Sequence, residues 1–167
     1  MDLYILRHAI AAARSSSIPG GDSQRRLTAE GDKKMRRIAK GMKAAKLSFD
    51  LILSSPFVRA RQTADIVAEV FRLRNRLEIS AALAADGNPK ELIDELRRSH
   101  RGRKSILLVG HEPYLSRLIS LLISGDTSIA IDLKKGGLGK LSVAALHYGR
   151  CATLEWLLAP RQMMRMK

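Results

Sequence analysis

Two histidines in this chain each follow an apolar run that stops abruptly. Tyr4-Ile5-Leu6 runs into Arg7-His8, and Ser105 to Val109 runs into Gly110-His111-Glu112-Pro113. Between them lies a third strand-like run, Asp50 to Leu53, broken by Ser54-Ser55-Pro56 and followed by Arg59 and Arg61. Short runs of this kind read as buried parallel strands, and in open α/β sheets ligands bind beyond the carboxyl ends of the strands. Two imidazoles and several guanidiniums at one such rim are unfavourable as plain packing, because like charges buried together need an anion to balance them. A phosphoryl group is such an anion: arginine forks match its oxygens in bidentate fashion and stabilise them as charge redistributes in the transition state. A neutral histidine nitrogen is a competent nucleophile when an acceptor holds its other ring nitrogen, and His8 is placed for that role. Arg59 falls in the first turn of a helix, where a cation is disfavoured unless an anion lies nearby.

The elements that would position these residues follow from periodicity and punctuation. Ala11 to Gln24, rich in Ala, Ser, Gly and Pro, reads as a loop. Thr28, with Glu30 in the first turn, opens a helix whose Met35, Ile38, Ala39 and Met42 recur at helical spacing. A second helix is expected from about Val58 to Arg74, a third strand over Leu77 to Ile79, and a short helix after Asn88-Pro89 carrying Leu92, Ile93 and Leu96. Leu115, Leu118, Ile119, Leu122 and Ile123 mark a further helix ending at Gly125. Leu141 to Tyr148 and Cys151 to Leu158 read as two strands around Gly149-Arg150, a hairpin turn signal. Strands alternating with helices imply a three-layer α/β/α domain with a mostly parallel sheet and an antiparallel C-terminal hairpin. One domain is expected over residues 1–160, with 161–167 as a short, mobile basic tail.

Composition limits the alternatives. A chain of 167 residues with 46% hydrophobic content suits one compact domain. Its apolar runs fall short of the roughly 20 residues a membrane span needs, and Met1-Asp2-Leu3 does not open like a signal peptide. Cys151, alone of its kind, has no partner for an internal disulfide. A cytoplasmic location is therefore expected. The formal net charge of +14 favours anionic partners. Against a nucleic-acid-binding protein stand an aromatic content of only 4% and the lack of a stacking platform or recognition-helix motif.

The same segments resemble the histidine phosphatase superfamily, the phosphoglycerate-mutase-like fold. Tyr4-Ile5-Leu6-Arg7-His8-Ala9 is similar to its first signature. The run from Ser54-Ser55-Pro56-Phe57-Val58-Arg59 to Ala60-Arg61-Gln62-Thr63-Ala64 is similar to its second, and Leu108-Val109-Gly110-His111-Glu112-Pro113 to its third. Arg25-Arg26-Leu27-Thr28-Ala29-Glu30-Gly31 further resembles a segment of the SixA-type protein phosphohistidine phosphatases. The resemblance implies that His8 is the phosphorylated nucleophile, that Arg7 and Arg59 clamp phosphate, that His111 donates to the phosphoryl oxygens, and that Arg25 completes the pocket. It implies no metal and no other cofactor. The chain departs from the family in having Ala9 where glycine is usual and Ile10 where an acidic residue often stands. The mutase-like glutamate that protonates the leaving oxygen is also missing: the comparable stretch, Ser80 to Asp86, has only Asp86 to act as a general acid. An alkoxide leaving group benefits from such an acid by about 10²- to 10⁴-fold. Imidazole, with an unperturbed pKa of about 6.5, takes up its proton readily near neutrality. Phosphohistidine in a protein, such as an acidic phosphotransfer domain, is therefore the expected substrate. The alternatives are a small-molecule phosphomonoesterase of the same fold and a catalytically silent phosphate-binding module.

Other conspicuous residues read as structural. His100 lies at a helix C-terminus, where cations are favoured, and His147 reads as a surface or cross-strand residue. Trp156 and Cys151 are expected to fill the core. Gly136 to Lys140 lacks the Gly-x-x-x-x-Gly-Lys-Ser/Thr spacing of a phosphate-binding loop and reads as a turn. The arginines of 72–76 and 97–104 read as solvated faces.

Overall fold

The computed structural model describes residues 1–166. Strands β1 (Asp2–Arg7), β2 (Leu51–Ser54), β3 (Leu77–Ile79), β4 (Ser105–Gly110), β5 (Leu138–Val143) and β6 (Ala152–Leu158) form one sheet in the order β3-β2-β4-β1-β5-β6. The first four run parallel, while β5 is antiparallel to β1 and β6 to β5. Helices α1 (Ala29–Ala44) and α2 (Val58–Phe71) cover one face. Helices α3 (Pro89–Ser99) and α4 (Tyr114–Ser124) cover the other. This is the three-layer α/β arrangement expected from the alternation of strands and helices.

Strand alternation divides the core between the two faces. Leu3, Ile5, Leu51, Leu53, Ile106 and Leu108 pack with Leu92, Leu96, Leu115 and Leu118 from α3 and α4. Tyr4, Leu6, Ile52, Leu107 and Val109 pack with Met35, Ile38, Met42 and Val67 from α1 and α2. Because both faces are covered, the central strands are apolar at consecutive positions, which is why they read as unbroken runs.

Pairing among β1, β4 and β2 sets the level of the rim. Arg7 lies opposite Gly110, while Leu6 and Ser54 both lie opposite Val109. The three strands therefore end together, and the next residues, His8, Ser55 and His111, emerge side by side. The ladder runs on past the strand ends: His8 N–H donates to the Gly110 carbonyl (3.0 Å) and Ser55 N–H to the Val109 carbonyl (2.9 Å).

Helix ends follow local chemistry. Thr28 Oγ1 accepts the Gly31 N–H (2.9 Å) to cap α1, and Asn88 Oδ1 accepts the Lys90 N–H (2.9 Å) to cap α3. At the far end of α4, Gly125 takes the left-handed conformation, with φ 98°. Gly31 has a second duty, since a Cβ there would run into the Ile10 carbonyl just beyond His8.

Three expectations need correction. Helix α2 stops at Phe71, short of Arg74, because Arg72 turns left-handed with φ 59°. The last two strands are joined by residues 144–151, not by a tight turn at Gly149-Arg150. β5 begins at Leu138 and ends at Val143 because its partner β1 begins at Asp2, which lies opposite Ser142. The turn read over Gly136 to Lys140 thus closes by Gly137. Finally, the start of the expected tail is packed, while Lys167 lies outside the described residues: Pro160–Met163 forms α5, Met163 is fully buried, and a Cβ on Gly41 would meet the Met163 carbonyl. The structural residues behave more nearly as expected. His100 is buried beside Glu78 (3.8 Å), His147 is exposed, Trp156 packs half-buried against Tyr4, and Cys151 is half-buried just before β6. Among the described residues, no helix is long and apolar enough to cross a membrane.

Because Met163 is fully buried in the core, Met163→Ala is expected to leave a cavity and lower the unfolding free energy by about 2–5 kcal/mol. Urea denaturation checks this; a mobile tail residue would show no measurable loss.

Candidate active site

The strand ends converge on a cavity of about 350 Å³ lined by Arg7, His8, Arg25, Arg59, His111 and Glu112, among others. Of the residues singled out from the sequence, His8, Arg7, Arg59, His111 and Arg25 are all brought together here. Asp86 is exposed and is not among the lining residues. It sits in the loop before α3. The carboxylates that do reach the site are Glu112, whose Oε1 accepts the Ser116 N–H (3.0 Å), and Asp22, which meets Arg59.

His8 is oriented by the residue after it. Its Nδ1 lies 2.8 Å from the Ala9 carbonyl, which can only accept, so Nδ1 carries the proton and Nε2 keeps a free lone pair. Arg59 Nε–H points at that lone pair from 3.2 Å. Ala9 is held in turn, because its N–H donates to Thr63 Oγ1 (3.1 Å) while the Thr63 hydroxyl donates to the Arg59 carbonyl (2.7 Å). Among the described residues, Lys46 and Arg72 are the non-glycine positions with positive φ. Ala9 thus has a backbone open to any L-residue, and the departure from glycine carries no strain.

His111 is oriented by β2. Its Nε2 lies 2.7 Å from Ser55 Oγ, which also accepts the Phe57 N–H (3.2 Å). Since Ser55 Oγ has no other acceptor for its own proton, it donates to Nε2, which leaves His111 Nδ1 as an N–H donor. The two imidazole centroids are 5.2 Å apart.

Burial governs the charge of both rings. It is the largest cause lowering the His8 pKa, to about 4; the Ala9 hydrogen bond opposes it, and the nearby Arg59, Arg7 and Arg25 add to it. Burial likewise leads for His111, helped by Arg59 and His8, and brings it to about 3. Both imidazoles are neutral at neutral pH. Desolvation alone would raise Asp22, but the Arg59 guanidinium, followed by Arg25 and Arg14, outweighs it and holds the carboxyl below the usual carboxylate range.

Three donors on residues that line the cavity are buried with no hydrogen bond: Arg7 Nε, His111 Nδ1 and Arg25 Nε, the last 2.9 Å from Asp22 Oδ1 but not aligned with it. An unpaired buried N–H costs about 1–3 kcal/mol, so three around one cavity mark a place for a group with several acceptor oxygens. Arg7 is steered there by Nη1 donating to the Leu133 carbonyl (2.9 Å), and Arg25 by Nη1 donating to the Ala12 carbonyl (2.9 Å). With His8 lining the same cavity and its Nε2 lone pair met there by Arg59 Nε–H, the arrangement can hold a phosphoryl group and attack its phosphorus once Arg59 turns its N–H to a phosphoryl oxygen. Among the described residues, no group of three or more His, Cys, Asp or Glu side chains is placed to hold a metal ion.

Some supporting residues were not legible beforehand as parts of the site. Thr63 and Gln62 lie on the same side of α2 as Arg59, at i+4 and i+3. Gln62 Oε1 accepts the Leu27 N–H (2.8 Å) and so ties down the loop that delivers Arg25. Their helical spacing from Arg59 was the available signal. Asp22 had only its place three residues before Arg25, in a loop of weak local pattern.

Residues 3–84 match the model of the histidine phosphatase superfamily (branch 1). The phosphohistidine phosphatase SixA of Escherichia coli (strain K12) is 31% identical over 128 residues, 76% of this chain and 77% of that protein. A solved structure of the protein histidine phosphatase SixA complexed with tungstate superposes with a TM-score of 0.81 at 26% identity, covering 98% of this chain and 99% of that one. An Escherichia coli structure described as a putative alpha-ribazole-5'-P phosphatase shares the fold, with a TM-score of 0.74 at 21% identity, covering 96% and 97% of the two chains. On motif, fold and similarity together, this chain belongs to the histidine phosphatase superfamily (branch 1) and is a phosphatase of the SixA type.

Proposed function

We propose that this phosphatase hydrolyses phosphohistidine in a protein by transferring the phosphoryl group to His8 Nε2. The observation that carries the reading is the set of buried N–H donors without a hydrogen bond, Arg7 Nε, His111 Nδ1 and Arg25 Nε beside Asp22, on residues that line one cavity with His8. In the first step the Nε2 lone pair attacks phosphorus as the bond to the leaving imidazole breaks, and that imidazole takes its proton from water. Arg59 Nε–H, which meets the lone pair in the open site, then donates to a phosphoryl oxygen. Arg7, Arg25 and His111 donate to the others, which stabilises the transition state electrostatically. In the second step water attacks the phosphorus of phospho-His8, the N–P bond breaks, and phosphate leaves with the water oxygen.

The substrate class follows from the leaving-group side. Asp22 is held ionised by arginines and so is not set up as a proton donor. Imidazole, unlike an alkoxide, departs near neutrality without one. The formal net charge of +14 suits an acidic phosphotransfer domain as the protein that carries the phosphohistidine. The half-buried free Cys151 is compatible with a reducing cytoplasm.

Rapid quench into alkali with a ³²P-labelled phosphohistidine protein is expected to leave label on His8, and label on any other residue overturns the mechanism. A kcat/KM higher for sugar or nucleotide phosphates than for the phosphohistidine protein would point instead to the small-molecule esterase. Arg59→Ala is expected to lower kcat by about 10²- to 10³-fold, the usual cost of one transition-state donor, as measured in single-turnover phosphorylation.

The depressed pKa values set the pH behaviour. Since His8 titrates at about 4 when folded and near 6.5 when unfolded, it stays nucleophilic down to about pH 4, and kcat/KM holds through pH 5–6. Between those two values the unfolded chain binds the extra proton, so stability falls as pH drops from about 6.5 to about 4. Histidine-resolved NMR titration and urea melts across that range check both; a His8 midpoint near 6.5 contradicts them.

A further inference from the structure

The guanidinium that faces the nucleophile is held from behind by a carboxylate. Arg59 is planar, carries five N–H donors, and has a side chain only 3% exposed. On its outer end, Nη1 donates to the Asp22 main-chain carbonyl (2.7 Å) and Nη2 to Asp22 Oδ2 (2.9 Å). On its inner edge, Nε–H meets His8 Nε2 at 3.2 Å. Because the group is rigid, fixing the outer end at two points fixes the direction of the inner edge. Asp22 sits in the 3-10 turn Gly21–Gln24, entered through Gly20 and Gly21 with φ of 79° and 72°. These left-handed conformations let the chain double back so that both Asp22 oxygens reach one guanidinium. Its second carboxylate oxygen, Oδ1, lies 2.9 Å from Arg25 Nε, but the N–H is not aligned with it and both atoms lack a hydrogen bond. Arg25 Nε therefore remains an open donor even beside a carboxylate.

We propose that Asp22 is a positioning residue for phosphoryl transfer: it grips Arg59 end-on, so that the Nε edge stays directed at the phosphorus attacked by His8. This rests on the reading of His8 as the phosphorylated nucleophile. A contrary role, in which Asp22 occupies the phosphate place until substrate displaces it, fits the geometry less well. One of the two bonds comes from the main chain, and both lie at the end of the guanidinium away from His8.

Asp22→Ala and Asp22→Asn test the idea with labelled phosphoramidate as a small phosphoryl donor. The expected result for Ala is phosphorylation of His8 slowed by about 10- to 100-fold, the scale of a small misplacement in a reacting pair, with little change in KM. Asn keeps an acceptor for Nη2 and recovers most of the rate. An NMR arm reads the positioning directly. Deleting a nearby negative charge would by itself lower the His8 midpoint, whereas Arg59 swinging away raises it and removes the hydrogen-bonded Arg59 Nε–H resonance. A raised midpoint with loss of that resonance in Asp22→Ala is expected. An unchanged phosphorylation rate, or a lowered midpoint with the resonance intact, overturns the proposal. So does tighter inhibition by inorganic phosphate with kcat retained, which would mark Asp22 as a competing occupant. Absence of label on His8 in the unmodified protein would overturn the nucleophile reading, while the NMR arm still decides the role of Asp22.

Discussion

Burying a guanidinium beside a histidine is unfavourable unless an anion accompanies it, and the placement of Arg59 is the constraint around which this site is organised. Its charge helps keep His8 neutral, its Nε–H marks the direction of attack, and its outer end needs the oxygens of Asp22. The loop from Ala11 to Gln24, which reads locally as mere connection, thereby becomes part of the active-site wall. Its residues Ala11 to Arg14 line the cavity beside the strand ends, and its Asp22 holds Arg59 from outside.

The frame is rigid because each functional side chain is backed by an element that cannot move independently. His8 and His111 leave adjacent parallel strands at the same level, and Ser55 leaves the strand on the other side of β4. Thr63 couples Arg59 on α2 to Ala9 just beyond β1, so the clamp and the residue that fixes the nucleophile's tautomer share one hydroxyl. Gly31 lets the start of α1 approach Ile10 closely, which anchors the chain just past His8. Preorganised donors of this kind need no rearrangement as charge shifts during reaction, which is where electrostatic catalysis gains most.

Neutral imidazoles complete the arrangement. A protonated His8 would have no lone pair to offer, and a protonated His111 would add another cation to a wall already rich in arginine. Burial keeps both uncharged, so the site's positive field comes from guanidiniums, which do not titrate near neutrality, while its nucleophile and one of its donors come from rings whose tautomers are set by Ala9 and Ser55.

Much of this was legible in the amino-acid sequence wherever the cause is local. Apolar runs ending at Arg7-His8, Ser54-Ser55-Pro56 and Gly110-His111 announced strand ends, and Thr28, Asn88 and Gly125 announced helix termini, because caps and periodicity act within a few residues. The need of Arg59 for a nearby anion was also readable from its place in the first turn of α2. Which anion answers it was not: Asp22 lies 37 residues away, and only the closing of the loop over the rim brings the two together. The same reasoning excluded neither Asp86 from the site nor Met163 from a mobile tail. Asp86 is exposed and does not line the cavity, and Met163 was drawn in by the apolar surface of α1 beside Gly41. Residue types and their order along the chain set the strand ends, caps and helix periods, since each depends on neighbours a few positions away. Which donors stay unpaired depends on contacts between segments far apart in the chain, and so emerges once the loops have closed over the rim.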